Sequence, residues 1–92
     1  MNVTVKISVS DEGKPDYVNE VYVSDAARSA VLFDFNPSTN ADVTDIKALC
    51  AALIELMRGV QTGGGAKGRC ASIAITDIEK MQMMAVKALF AK

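Results

Sequence analysis

The sequence contains no histidine and no tryptophan, and aromatic side chains make up only 5% of it. Without histidine the commonest general base and metal ligand is missing. The serines, threonines and cysteines therefore lack the usual partner that would activate them as nucleophiles. Acidic pairs such as Asp42 and Asp45, or Asp77 and Glu79, read as helix-end and solvated residues. No catalytic residue is expected, and the chain is not expected to be an enzyme. Only two cysteines occur, Cys50 and Cys70. Two thiols without histidine do not make a zinc site. Both fall in helical runs and read as small apolar core residues, with no disulfide expected in an intracellular chain. No metal and no cofactor is expected. Charge of neither sign dominates, because the net charge is −1. That argues against a nucleic acid polymer as partner, while a local basic patch stays open. No apolar run approaches the roughly 18 residues that span a bilayer. The first residues lack a basic stretch followed by an apolar one, so no signal peptide is expected. These absences lead to the expectation of a soluble, cytoplasmic chain that makes no membrane contact.

What is present is grease. Half of the 92 residues are hydrophobic. A chain this short buries only about 60–65% of its unfolded surface, so copies of itself are the usual cover for the excess. The excess is densest near the end of the chain. Residues 69–91 read as one helix whose apolar positions cover most of its circumference. One neighbouring helix cannot bury such a rod, so a homo-oligomer is expected. Gln82 stands among apolar neighbours, either buried with partners or exposed through a gap. At 100° per residue, Arg69, Thr76, Lys80 and Lys87 share a narrow sector, with Ser72 and Glu79 on its flank. This row is either a solvated face or an anion site repeated by symmetry.

The rest of the chain reads as α+β. Residues 1–9 and 17–23 alternate with period two and are rich in β-branched side chains, which predicts two strands paired as a hairpin. The turn formers of residues 10–16 join them. Residues 25–29 form a turn or a single helical turn, and the apolar run 30–35 reads as a third short strand. Pro37 then interrupts. Asp42 is the expected N-cap of a first long helix, with Asp45 near its positive end. Ile46, Leu49, Cys50, Leu53, Met57 and Val60 form its apolar stripe. Ile54 and Leu56 lie off that stripe and suggest a second contact surface. Gly59 and the glycines after it end the helix. The short loop 61–68 makes the two helices antiparallel neighbours. The expected architecture is one domain, 1–92. It has a small antiparallel sheet of about three strands (1–36) and a long two-helix hairpin (41–92), built to oligomerise.

The glycines of the loop, Gly63 to Gly68, have the spacing of a phosphate loop. Arg69-Cys70 stands where Lys-Ser/Thr is required, and a helix precedes the loop where a strand should, which excludes a nucleoside triphosphatase. Amides at the start of the second helix, with Lys67 and Arg69, still suit a phosphate. A solvated connector is the plainer alternative. Phe35-Asn36-Pro37-Ser38 offers an aromatic face, amide donors and a rigid turn.

These residues carry a family resemblance. Phe35-Asn36-Pro37-Ser38 is followed by Val43, Ile46, Lys47, Leu49 and Ala51-Ala52-Leu53-Ile54. Then come Arg69, Ala74-Ile75-Thr76, Ile78-Glu79 and Met83-Met84-Ala85-Val86-Lys87-Ala88. The pattern resembles phage anti-Thoeris sponges of the first Tad type, and the helical hairpin is similar to that of phage anti-CBASS cyclic-nucleotide sponges. It departs at Met84, where the family usually carries tryptophan. The resemblance implies a non-enzymatic sponge acting in the infected host cell. It implies cyclic ADP-ribose isomers or cyclic oligonucleotides as the small-molecule partner, and a homo-oligomer, hexamer favoured, with sites between protomers. Carried onto this chain, Phe35 and Asn36 meet base or ribose, Arg69 with Lys67 meets phosphates, and Thr76 adds a hydroxyl beside Ser72. Arg28 and Lys87 join the candidate set on charge and position. The alternative function is a structural or partner-binding helical homo-oligomer.

Overall fold

The computed structural model of the chain describes residues 1–7 and 17–92. In chain order the elements are β1 (Asn2–Ile7), β2 (Tyr17–Tyr22), α1 (Asp25–Ala30), α2 (Ala41–Gln61) and α3 (Gly65–Phe90). Strands β1 and β2 pair antiparallel, with Asn2 opposite Tyr22, Thr4 opposite Glu20 and Ile7 opposite Tyr17. The expected continuation of the first strand through Ser8 and Val9, and the expected turn at 10–16, lie outside the described residues. Alternation places Val3 and Val21 on the inner face. Only the base of this hairpin is seated on the body, so Ile7 and Tyr17 at its far end are exposed. A lone two-stranded hairpin is marginal in water, and its support is the cluster of Val21, Val23, Ala27 and Val31 packed against Cys50, Ala51 and Ile54 of α2.

The third strand is not formed. Residues 25–30 are α1 instead, and the chain then turns. Ser24 caps α1 by accepting from the Ala27 N–H, with Asp25 in the first turn and Arg28 in the last. The helix ends in a Schellman motif: Phe33 N–H donates to Arg28 O and Leu32 N–H to Ser29 O. This closure requires a left-handed residue, and Leu32 takes that conformation with φ 51°. Glycine is usual there, and a leucine costs about 1 kcal/mol or more. The apolar run was misleading because short runs of this kind do not separate strand from turn-and-core.

The long hairpin forms, with shifted ends. Asn40, and not Asp42, caps α2 by accepting from Asp42 N–H at 2.8 Å. Both side chains can cap, but Asn40 has the extended backbone a cap needs, and Asp42 falls in the first turn. α2 runs through Gly59 to Gln61. α3 begins at Gly65, one turn before Arg69. Two glycines make the reversal possible. Gly64 has φ 66° and ψ −168°, a region open essentially to glycine alone. At Gly68 a Cβ would stand 3.0 Å from Gln61 O, so the helices approach there at backbone contact.

The single stripe expected on α2 divides in two. Val43, Lys47, Cys50 and Ile54 face inward, whereas Leu49, Leu53, Leu56 and Val60 face outward. Ile54, expected off the stripe, is the best buried of them at 1% exposure. α3 turns Gly68, Ala71 and Gln82 toward α2 and leaves Ile73, Met81, Met83 and Met84 exposed. Cys70 is likewise exposed and no core residue, while Cys50 is buried and its thiol pushed up by desolvation. Large apolar side chains left uncovered on the outer faces of α2 and α3 include Leu49, Leu56, Met83 and Met84. Among the described residues no helix is long and apolar enough to cross a membrane.

Glu55 ties α1 to α2. Its carboxylate accepts from Ser24 N–H at 2.6 Å. The Ser24 hydroxyl first, then the Ser24 N–H and the nearby charge of Arg58, hold this carboxyl below the ordinary value of 4.5. A depressed folded pKa gives stability that is present above the unfolded value and lost as pH falls through the folded one. Glu55→Gln removes that dependence. The stability difference between parent and variant is therefore expected to shrink as pH falls from about 6 to about 3, followed by thermal melts. A constant difference across that range would assign the contact no charge-dependent role.

Candidate functional site

Two ends of the hairpin carry the candidate residues. At the open end, the loop Phe35-Asn36-Pro37-Ser38 and the helix positions Val86 and Phe90 face one another across a pocket of about 190 Å³, with Val43 and Lys47 beneath. Phe35 is 64% exposed, so its ring is free to meet a partner. Asn36 is committed within the loop. Its Nδ2 donates to Asn40 O at 3.0 Å and to Thr44 Oγ1 at 3.2 Å, and its Oδ1 accepts from Ser38 Oγ at 2.7 Å. It shapes the approach to α2 more than it offers free donors. On the other side of Phe35 lies a second depression of about 210 Å³ bordered by Arg28, Leu32, Phe33 and Asp34. Arg28 is paired there: Nη2 donates to Asp34 Oδ1 at 2.7 Å, and the guanidinium lies 5.5 Å from the Phe33 ring centroid. Its Nε is buried with no hydrogen-bond partner among the described residues.

At the closed end, Lys67 borders an apolar pocket of about 440 Å³ with Met57, Val60, Cys70 and Ala74. Arg69 is exposed on the outer side of α3. α3 begins at Gly65, so Lys67 lies within its first turn among the free amides and Arg69 follows one turn in. Ser72 serves the reversal: its Oγ accepts from Gln61 Nε2 at 2.9 Å and donates to Gly68 O at 3.0 Å. Thr76 donates to Ser72 O at 3.2 Å and stays exposed. Arg69, Thr76, Lys80 and Lys87 all lie on the exposed side of α3, away from the face that Gly68, Ala71 and Gln82 turn to α2.

One chain therefore does not gather the candidate set. At about 1.5 Å per residue, roughly 25 Å of helix separates Arg69 from Val86 in the Phe35 pocket. The chain brings Phe35 and Asn36 together; Lys87 shares their end of the hairpin but lies on the outer, exposed side of α3, and Lys67, Arg69, Ser72 and Thr76 lie toward the other end.

The sequence reading gave no site role to Lys47, Val43, Val86 or Phe90. Lys47 is 5% exposed. It donates to Leu32 O at 2.9 Å and to Phe35 O, and its Nζ lies 5.7 Å from the Phe35 ring centroid. A signal was available, because Val43, Lys47, Cys50 and Ile54 are spaced four, three and four apart, which sets one charge on an apolar row.

The family model of the Acb2/Tad1 hairpin domain matches residues 25–90. The chain belongs to this family. The matched span covers α1, the Phe35 loop and both long helices, and it leaves the paired strands outside. Comparison with curated proteins and with solved structures gives no match. Membership points to a signal-sponge role in anti-defence, exercised by binding.

Proposed function

We propose that this Acb2/Tad1 family chain is a phage-type sponge. It binds a cyclic ADP-ribose isomer or a cyclic oligonucleotide immune signal, holds it without degrading it, and so blocks host antiphage defence in the cytoplasm of the infected cell. The observation that carries the reading is the outer face of α3. Arg69, Thr76, Lys80 and Lys87 are aligned there in the open, beside exposed Ile73, Met83 and Met84. A basic row bordered by uncovered apolar side chains suits an anion held between protomers. The uncovered apolar side chains of α2 and α3 support assembly, and a homohexamer is the favoured form.

In that assembly the two ends of the hairpin meet through different copies. Arg69 and Lys67 supply charge-assisted hydrogen bonds to phosphate, and the Phe35 ring offers a face for a base. Two neutralised phosphates plus one stacked base in a preformed site reach nanomolar affinity, about −12 kcal/mol. Retention needs no proton transfer, which agrees with a chain that has no histidine.

The test is capture followed by release. The protein is incubated with cyclic ADP-ribose, cyclic di-AMP and cyclic tri-AMP, washed, and heated, and the supernatant is analysed by mass spectrometry. Recovery of an intact compound in proportion to protein is expected. An empty supernatant for every compound would favour the structural, partner-binding reading of the same exposed faces. Recovery of a cleaved product would contradict sequestration.

A further inference from the structure

Lys47 is a charge at the one place on α2 where the fold least needs it. Its neighbours along the inward row, Val43, Cys50 and Ile54, are apolar and buried. An ammonium group is tolerated there only when its donors are paired. The pairing is specific, because both acceptors, Leu32 O and Phe35 O, belong to one short segment. That segment is bracketed by two non-glycine residues with left-handed backbone, Leu32 at φ 51° and Thr39 at φ 55°. Such conformations persist only when the surroundings over-determine them. Asn36, Ser38 and Asn40 hold the far half of the loop through their own hydrogen bonds. In the near half Leu32 and Phe33 are tied back to α1 and Phe33 packs on the core, while Phe35, whose N–H donates to Leu32 O, is joined to α2 by Lys47.

We infer that Lys47 is a positioning residue for the sponge site: by donating to Leu32 O and Phe35 O it fixes the backbone that presents the Phe35 ring, and it does not itself meet ligand phosphate. An ammonium has three donors, and two are used by these carbonyls. The inference rests on the sponge reading, since it assigns the ring to ligand stacking. It predicts that Lys47 acts on affinity through Phe35 alone.

The experiment is a double-mutant cycle with Lys47→Met and Phe35→Ala in the full chain. The probe is whichever of cyclic ADP-ribose, cyclic di-AMP and cyclic tri-AMP the parent retains. Calorimetry at low and high salt is combined with amide hydrogen exchange. Lys47→Met is expected to speed exchange across residues 32–38 at least tenfold, leave the interior of α2 protected, and weaken capture about tenfold. In the Phe35→Ala background the same change should weaken capture less than about twofold, because interacting positions fail to add. The salt dependence of capture should match the parent, because no phosphate contact is lost. If Lys47→Met does not fold, Lys47→Gln keeps a shorter, uncharged amide donor and carries the same cycle with a loss of about threefold, the expected result when it meets one of the two carbonyls. Equal losses in both backgrounds, or a flattened salt dependence, would overturn the inference in favour of direct contact. Unchanged affinity with faster exchange would overturn it in favour of a purely structural role. A parent that retains no probe removes the sponge reading itself, and the stacking role with it, whatever the exchange data show about the loop.

Discussion

Arg69→Glu is expected to abolish ligand capture and leave the assembly intact. Arg69 is exposed, and among the described residues it has no ion-pair partner. Its removal thus leaves no buried group unsatisfied, and folding stability should move by less than about 0.5 kcal/mol. Affinity should fall far more. A charge-assisted hydrogen bond is worth about 1.5–3 kcal/mol, and reversal replaces attraction to a phosphate by repulsion. If symmetry brings more than one Arg69 to a ligand, the loss multiplies, and about a thousandfold is a reasonable floor. Native mass spectrometry reports assembly and retained ligand together. An Arg69→Glu protein that still carries the ligand as tightly as the parent would refute the phosphate role. Lys87→Glu, at the other end of α3, is the informative comparison.

Neighbouring residues on α2 supply the second large effect. Ile54 is 1% exposed and Leu53 is 44% exposed, so one residue step crosses from the core to the outside. Ile54→Ala should lower the stability of every form of the protein by about 2–5 kcal/mol, through lost transfer energy and a residual cavity. For a domain of this size that is a fall in Tm of roughly 10–20 °C or more. Leu53→Asp combined with Leu56→Asp leaves the core intact, because these side chains are 44% and 50% exposed and only half covered within the chain. Its effect should be on association, since a charge left unpaired between packed helices is strongly unfavourable. Sedimentation should find the double variant dissociated and still helical, and Ile54→Ala assembled at low temperature. An assembled Leu53→Asp, Leu56→Asp protein would show that the outward row of α2 faces water in the complex.

Much of this was legible in the residues. The helical hairpin follows from two long apolar periodicities separated by glycines, and the paired strands from alternation around Val3 and Val21. What the pattern hid is instructive. The run at 30–35 is apolar because Val31 and Phe33 pack into the core, while Leu32 between them points out from a left-handed bend. No period distinguishes that from a strand. The α2 stripe fused two faces because Leu49 and Leu53 flank the inward row closely on a helical wheel, and the sequence does not reveal which flank meets the rest of the chain. Lys47 carried no role in the sequence because its two carbonyl partners lie 15 and 12 residues away. Asn36 and Ser72 were read as ligand donors because polar side chains in loops and at helix starts serve both purposes. Their hydrogen bonds are largely internal.

The length of α3 has a consequence for change over time. Within one chain, groups about 25 Å apart share no neighbours, so the effects of substitutions at the two ends on folding stability add almost independently. Replacements can therefore accumulate at the Phe35 end without unsettling the fold of the glycine-rich reversal, and the reverse.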